Sequence, residues 1–444
     1  MATPKRSPVE ESRDVAEGKP PEDKPSPSRK HGVLRTLGLG LITGAADDDP
    51  SAIGTYASAG AAIGPSFLWT APVTFPMMCG VVYLAAKLGQ VSGKGLFHVI
   101  KDHYSRWILY PALAGILIGN TIEAGADIGG MAAAIALLVP VPLPFIIIPV
   151  TVAIFALQVW GSYELIRTIF RWLALSLLAY VGAAILAKPD FLEVIKGTLI
   201  PTIRFDQKFL SMLVAVVGTT LSAYLYTWQS NQEVEEEIAM GRRRLAQRKG
   251  ATKKELQHTR TDVISGMFFS NVVMYFIILS TASTLFKSGA TEINTAAEAA
   301  EALRPLAGNA ASALFALGII GVGFLAVPVM TTGAAYDLCQ VVGWKHSLHA
   351  KPSEAKKFYG AIAVFTLLGM GMNFLGFNPM KALVFSGIVQ GFSTPPLLLL
   401  IMLMTNSRKI MGNRTNSLGL NILGWITTAA IFAASLGLVA SWFL

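Results

Sequence analysis

Charge is what this sequence has least of. Only 14% of its 444 residues are charged and 53% are hydrophobic, with a mean hydropathy of +0.53. A soluble chain carries about a quarter charged residues, so a soluble enzyme is excluded. Cysteine is nearly missing. Cys79 and Cys339 both lie in apolar segments without metal-type spacing, which excludes a disulfide framework. Histidine is confined to the tail and the expected loops, at His31, His98, His103, His258, His346 and His349. The apolar segments therefore lack the side chain best suited to titrate near neutral pH. Residues 1–32 lack large apolar side chains and are rich in Pro, Ser, Glu and Lys. They read as a disordered tail, and without an apolar core and a small-residue cleavage site they are not a signal peptide. No nucleophile–base pair and no cofactor motif is present, so no enzymatic role and no cofactor is expected.

What is present is a series of apolar runs near 20 residues long, each sufficient to cross a bilayer as a helix. The expected spans are 33–63, 67–87, 108–138, 143–160, 168–187, 209–230, 262–286, 310–341, 358–376, 380–404 and 417–442. The reading is an all-α integral membrane protein with eleven transmembrane helices, a single domain over 33–442 behind the 1–32 tail.

Charge placement fits that count. With the N-terminus in the cytoplasm, the inner tail, loops and helix ends hold 29 of the 36 Lys and Arg. The loop 231–260 alone contributes Arg242, Arg243, Arg244, Arg248, Lys249, Lys253, Lys254 and Arg260. The outer loop around Glu292, Glu298 and Glu301 is acidic. This is the positive-inside distribution, so the net charge of +9 reads as topology and not as a nucleic-acid surface. The expected location is the cell membrane.

One stretch stands apart from the apolar pattern. Asp47, Asp48, Asp49 and Pro50 lie inside the first run, between Gly44 and Gly54. Proline removes a backbone donor and clashes with the preceding turn, so a helix through Pro50 breaks. A charged side chain at this depth costs about 2.5–3.5 kcal/mol on insertion scales, and it normally faces a polar cavity or a cation. Opened backbone is tolerated in a membrane only where it lines such a cavity. A broken helix with an acid at the break is the pattern of secondary transporters whose ion site lies at mid-membrane.

The sixth span holds the matching position if 33–187 and 207–404 are two five-helix halves in opposite orientation. There Gly218, Thr219, Thr220, Ser222, Tyr224 and Tyr226 interrupt the apolar run, and this helix is expected to open as well. The alternative is that these are small residues packing one helix on another.

Asp49-Pro50-Ser51-Ala52, Gly54, Ser58-Ala59-Gly60 and Phe67-Leu68-Trp69 resemble the first-helix region of the Nramp divalent-metal transporters, which carry Asp-Pro-Gly-Asn there. The resemblance continues through 126–130, 218–220, 396–400 and 406–412. It implies a leucine-transporter-like fold of two inverted five-helix repeats plus one extra helix at 417–442. It places the metal aspartate on Asp49, one carbonyl ligand on Ala46 and another on Thr219. Three positions depart from the family: its asparagine ligand is Ala52, its methionine ligand is Ser222, and its following histidine is Tyr224. A third-helix acid of the family falls on Gly130, while Asp127 is kept.

Those departures have a chemical direction. Thioether sulfur favours transition metals, whereas Mg²⁺ and Ca²⁺ take oxygen ligands and Mg²⁺ tends to keep several waters. Asp49, Ser222 and the Ala46 and Thr219 carbonyls make an all-oxygen set, resembling the Nramp-related magnesium branch. The expected cargo is Mg²⁺, Mn²⁺ or both, with weak or no proton coupling. The alternatives are a proton-coupled Mn²⁺/Fe²⁺ importer and an organic-solute symporter, whose anionic substrate the acids would repel. Ser222 alternatively caps opened backbone. Asp47 and Asp48 are expected to add charge or hold water near the ion. Glu123, Asp127 and Asp337 are candidate proton groups. Gln390 either approaches the ion or makes a helix–helix hydrogen bond. Glu233, Glu235, Glu236 and Glu237 form either an acidic vestibule or a solvated helix end. The expected partners are divalent metal ions and the lipid bilayer, with no protein partner implied.

Overall fold

The computed structural model describes residues 39–160 and 175–443. The expected 1–32 tail, residues 33–38 of the first span and 168–174 of the fifth lie outside the described residues. Every regular element among the described residues is helical.

The first span is two helices, α1 (Leu39–Asp47) and α2 (Pro50–Ile63). Pro50 occupies the first position of α2, where its missing N–H costs nothing and its fixed φ is already helical. After it come α3 (Thr70–Ser92), the short α4 (Leu96–His103), α5 (Arg106–Ala136) and α6 (Leu143–Trp160). Beyond 174 lie α7 (Ala179–Leu186) and α8 (Phe191–Leu199). The sixth span divides into α9 (Gln207–Thr220) and α10 (Ala223–Ala239). Four long helices complete the set: α11 (Lys253–Thr281), α12 (Ala311–Val342), α14 (Pro379–Asn406) and α15 (Leu418–Ser441), with α13 (Lys356–Met372) between α12 and α14.

Eight helical stretches among the described residues are long and apolar enough to cross a membrane. The other three expected spans fall on the divided α1–α2 pair, on α7 with the residues before it, and on the 17-residue α13. The chain is a multi-pass membrane protein.

The layering follows from which faces are buried. Within α6 only 28% of the apolar window is buried by protein, against 78% for 207–239. An apolar helix left uncovered by its own chain has lipid as its remaining partner, so α6 is peripheral and α9–α10 central. The broken helices are held by unbroken ones. The α1 and α2 halves pack on α11, α9 packs on α14, and α5 packs on α12, α13 and α14. Two glycines permit the closest of these contacts. A Cβ at Gly44 would collide with the Gly266 carbonyl on α11, and one at Gly218 with the Gly387 carbonyl on α14. Both glycines lie within a turn of a break, so each broken helix meets its unbroken neighbour backbone to backbone.

Candidate ion site at two helix breaks

At the first break α1 ends on Asp47 and α2 is capped by Asp49, whose backbone is extended (φ −65°, ψ 171°). Asp49 Oδ1 accepts the Ala52 N–H at 2.6 Å. This supplies one of the donors that a helix N-terminus leaves unmatched, and it places negative charge at the positive end of the helix dipole. The other oxygen, Oδ2, accepts from the Tyr224 hydroxyl at 3.0 Å. That hydroxyl also lies 2.7 Å from the Ala46 carbonyl, one of the last carbonyls of α1 and so without a helical donor of its own. Two of the expected ligand oxygens thus converge on one hydroxyl of α10.

The second break contains no proline. Leu221 leaves the helical region (φ −111°, ψ 38°) and Ser222 is extended (φ −62°, ψ 136°). The Leu221 carbonyl is recovered by the hydroxyls of Tyr226 at 2.6 Å and Thr394 at 3.2 Å. Ser222 makes no side-chain capping bond. The expectation that it caps opened backbone is therefore not met. It donates instead to Glu123 Oε2 on α5 at 3.2 Å, and that same oxygen accepts from Gln390 Nε2 on α14 at 2.6 Å. Gln390 so makes the helix–helix bond, and by it draws a carboxylate onto the break. Glu123 is fully buried and its Oε1 has no hydrogen-bond partner among the described residues. Thr219 lies one residue before the end of α9, with its Oγ1 buried and unpartnered.

The three neighbouring aspartates separate. Asp47 and Asp48 share the Ser270 hydroxyl on α11, at 2.5 and 3.2 Å, whereas Asp49 turns to α10. Among the described residues no group of three or more acids, histidines or cysteines is arranged to hold a metal. Asp127 lies at the N-terminus of α2, where its Oδ1 accepts the Ser51 N–H at 2.9 Å and Oγ at 2.6 Å. Ala52 and Tyr224 are both fully buried in this neighbourhood. Asp337 is buried on α12 and accepts from Asn231 at 3.5 Å.

Of the four acids after the second break, three are buried and Glu236 is half-buried. Glu233, Glu235 and Glu237 are at most 6% exposed. Glu233 accepts from Gln229 and Gln90, both at 2.8 Å, and Glu235 from Tyr336 at 2.9 Å and Ser347 at 2.8 Å. A further bond from Thr43 to Gln229 at 2.5 Å ties α1 to this cluster. Glu233 and Glu235 thus belong to an internally bonded layer between α1, α3, α10 and α12, while Glu237 faces Arg242 of the basic loop at 3.4 Å.

Sequence reasoning missed Ser270 and Ser51, the partners that decide where Asp47, Asp48 and Asp127 point. It also missed Met274, whose sulfur lies 3.8 Å from both the Thr74 and Thr220 hydroxyls. The sulfur nearest the second break is thus engaged by hydroxyl donors.

Residues 40–441 match the family model described as natural resistance-associated macrophage protein-like, Nramp. The divalent metal cation transporter MntH of Bacillus subtilis (strain 168) is 24% identical over 420 residues, 93% of either chain. The protein of the same name from Klebsiella pneumoniae (strain 342) is 25% identical over 406 residues, covering 90% of this chain and 92% of its own. Among solved structures, the Eremococcus coleocola manganese transporter bound to an aromatic bis-isothiourea compound superposes with a TM-score of 0.69. It is 17% identical and covers 95% of this chain and 90% of its own. Mhp1, a nucleobase-cation-symport-1 family transporter in a closed conformation, gives 0.56 at 13% identity, with 91% of both chains covered. These likenesses fix the fold as leucine-transporter-like. Since the family match spans nearly the whole chain, the chain belongs to the Nramp family, whose members are transporters and not enzymes.

Proposed function

We propose that this transporter moves hard divalent cations, Mg²⁺ and Mn²⁺, through an all-oxygen site between the two helix breaks, with little or no proton coupling. Divalent metal transport is the coarser statement that the family carries. The finer one rests on a single observation. The Asp49 carboxylate and the Ala46 carbonyl both lie within 3.0 Å of one hydroxyl, with no sulfur among their partners. In this reading Asp49 and the Ala46 and Thr219 carbonyls are direct ligands, and Ser222 contributes its hydroxyl or a water. Glu123, reached through Ser222, supplies a second negative charge at hydrogen-bond range from the first set of ligands. Two carboxylates, hydroxyls and carbonyls form the donor set that Mg²⁺ prefers, and Ala52 and Ser222 leave room for the waters it keeps.

Asp127 takes a supporting role in this reading: its Oδ1 holds the first turn of α2, while its Oδ2 is buried without a partner among the described residues. Residues 33–187 and 207–404 act as the inverted repeats, 417–442 as the added helix and 1–32 as a cytoplasmic tail, in the plasma membrane of the cell.

A second reading, a Mn²⁺ importer driven by protons, is favoured by the relatives named for manganese and by the buried Glu123, Asp127 and Asp337. One experiment separates them. Purified protein in proteoliposomes takes up Mn²⁺ against millimolar Mg²⁺ with a pH dye inside. Suppression by Mg²⁺ with flat internal pH supports the oxygen-only, uncoupled site. Indifference to Mg²⁺ with acidification overturns it in favour of the second reading.

A further inference from the structure

A cavity of about 570 Å³ opens far from the helix breaks, between the C-terminal half of α3, the first turns of α11 and the segment joining α14 to α15. Its volume falls within the range of small-ligand sites, roughly 300–1,000 Å³. Three cations from three different elements line it: Lys87, Arg260 and Arg414. No Asp or Glu lines it, and among the described residues none of the three cations forms an ion pair. Positive-inside topology requires cations at this end of the helices, but it does not require them to face one another across a shared space. Gathering like charges around a cavity is unfavourable until an anion enters.

The side chains are also aimed. Lys87 Nζ donates to the Thr415 carbonyl and to Asn416 Oδ1, both at 3.0 Å, and Arg414 Nε to the Ala251 carbonyl at 3.0 Å. The ammonium is thereby fixed, and the Arg414 fork is oriented with its terminal nitrogens left for an oxyanion.

Polarity changes with depth. Cys79 and Gly80 lie about 12 Å further along α3 from Lys87, at 1.5 Å per residue, and Ile264 is a turn further along α11 from Arg260. With Leu423 they make an apolar floor beneath a basic rim. A free phosphate would satisfy the rim alone. A molecule with an anionic head and an acyl chain satisfies both, and basic pockets between transmembrane helices near the cytoplasmic surface bind such lipid heads.

We propose that this cavity is a binding site for an anionic phospholipid, the phosphate held by Lys87, Arg260 and Arg414 and an acyl chain lying on the floor of Ile264 and Leu423. The site is separate from the ion path, and the proposal stands whichever ion is carried. It is tested on full-length protein in detergent by native mass spectrometry and by the shift in unfolding temperature. The probes are phosphatidylglycerol, phosphatidylcholine of the same chains, and inorganic phosphate. Phosphatidylglycerol is expected to be retained and to raise the unfolding temperature, with phosphatidylcholine and phosphate doing neither. Arg260→Gln is expected to weaken retention roughly fivefold, and Lys87→Gln with Arg414→Gln further still. Arg260 is exposed and makes no hydrogen bond among the described residues, so its variant folds even if the others do not. Arg260→Lys is expected to keep most of the retention. Equal retention of both lipids, unchanged retention in Arg260→Gln, or an equal shift from phosphate alone would each overturn the proposal.

Discussion

The two helix breaks do the same mechanical job with different materials. The first carries its own charge: Asp49 caps α2 and offers its second oxygen across the gap, and Pro50 enforces the interruption. The second has no acid in its own turn and borrows its carboxylate, although Tyr226 of its own α10 helps to close the open carbonyl. Its carboxylate comes from Glu123 on α5, the amide that seats that carboxylate from Gln390 on α14, and the donors for its open carbonyl from Tyr226 and Thr394. A break that owns its charge is fixed by a local sequence. A break that borrows it depends on how two other helices, α5 and α14, pack against it. The carboxylate that meets Ser222 lies 99 residues away in the chain, so the surroundings of this break are written far from the break itself.

Mutations that strike the two breaks separately test this asymmetry. Asp49→Ala removes the charge and the α2 cap together, and uptake of Mn²⁺ into proteoliposomes is expected to fall by more than about 100-fold. The protein should still elute as a monodisperse peak, and normal uptake by that material would remove the central claim. Glu123→Gln keeps the volume and the hydrogen bonds of the borrowed carboxylate but not its charge. A loss of roughly 10- to 100-fold in apparent Mg²⁺ affinity is expected, read by Mg²⁺ competition; an unchanged competition curve would leave Glu123 a packing residue. Ser222→Met restores soft character, and the ratio of Mn²⁺ to Mg²⁺ affinity should rise about tenfold. A constant ratio would mean that this side chain does not face the ion. The smallest effect belongs to Asp47→Asn. Asp47 is turned to Ser270 on α11, so apparent ion affinity is expected to stay within roughly threefold of the parent. A loss as deep as that of Asp49→Ala would contradict the separation of the three aspartates.

How legible each break was in the sequence follows the same division. Pro50 beside three acids in an apolar run can only be an interruption, and the structure puts it between Asp47 and Pro50. The opening of the sixth span was legible from its hydroxyl run and its symmetric position, although not to the residue. Which of the three aspartates faces α10 was not legible from periodicity, because the non-helical backbone at Asp48 and Asp49 decides it. Nor was the fate of Glu233, Glu235 and Glu237. A run of acids reads as solvated until the partners that bury it, Gln90, Tyr336 and Ser347, are brought from distant segments by the fold. Gln390 had two readings, and only its distance to Glu123 shows that the bland one serves the chemical one. The cavity beside Lys87 left no trace as a motif, since its three cations come from parts of the chain more than 150 residues apart.

The Tyr224 hydroxyl has a consequence for turnover. It reaches the Ala46 carbonyl and the Asp49 carboxylate with one proton. On the proposed reading, a cation seated between those oxygens takes the same lone pairs, and the hydroxyl turns its proton away as the ion arrives. The single Tyr224 proton serves one of the two oxygens at a time, so in the empty site one side chain of α10 holds the end of α1 and the cap of α2 together.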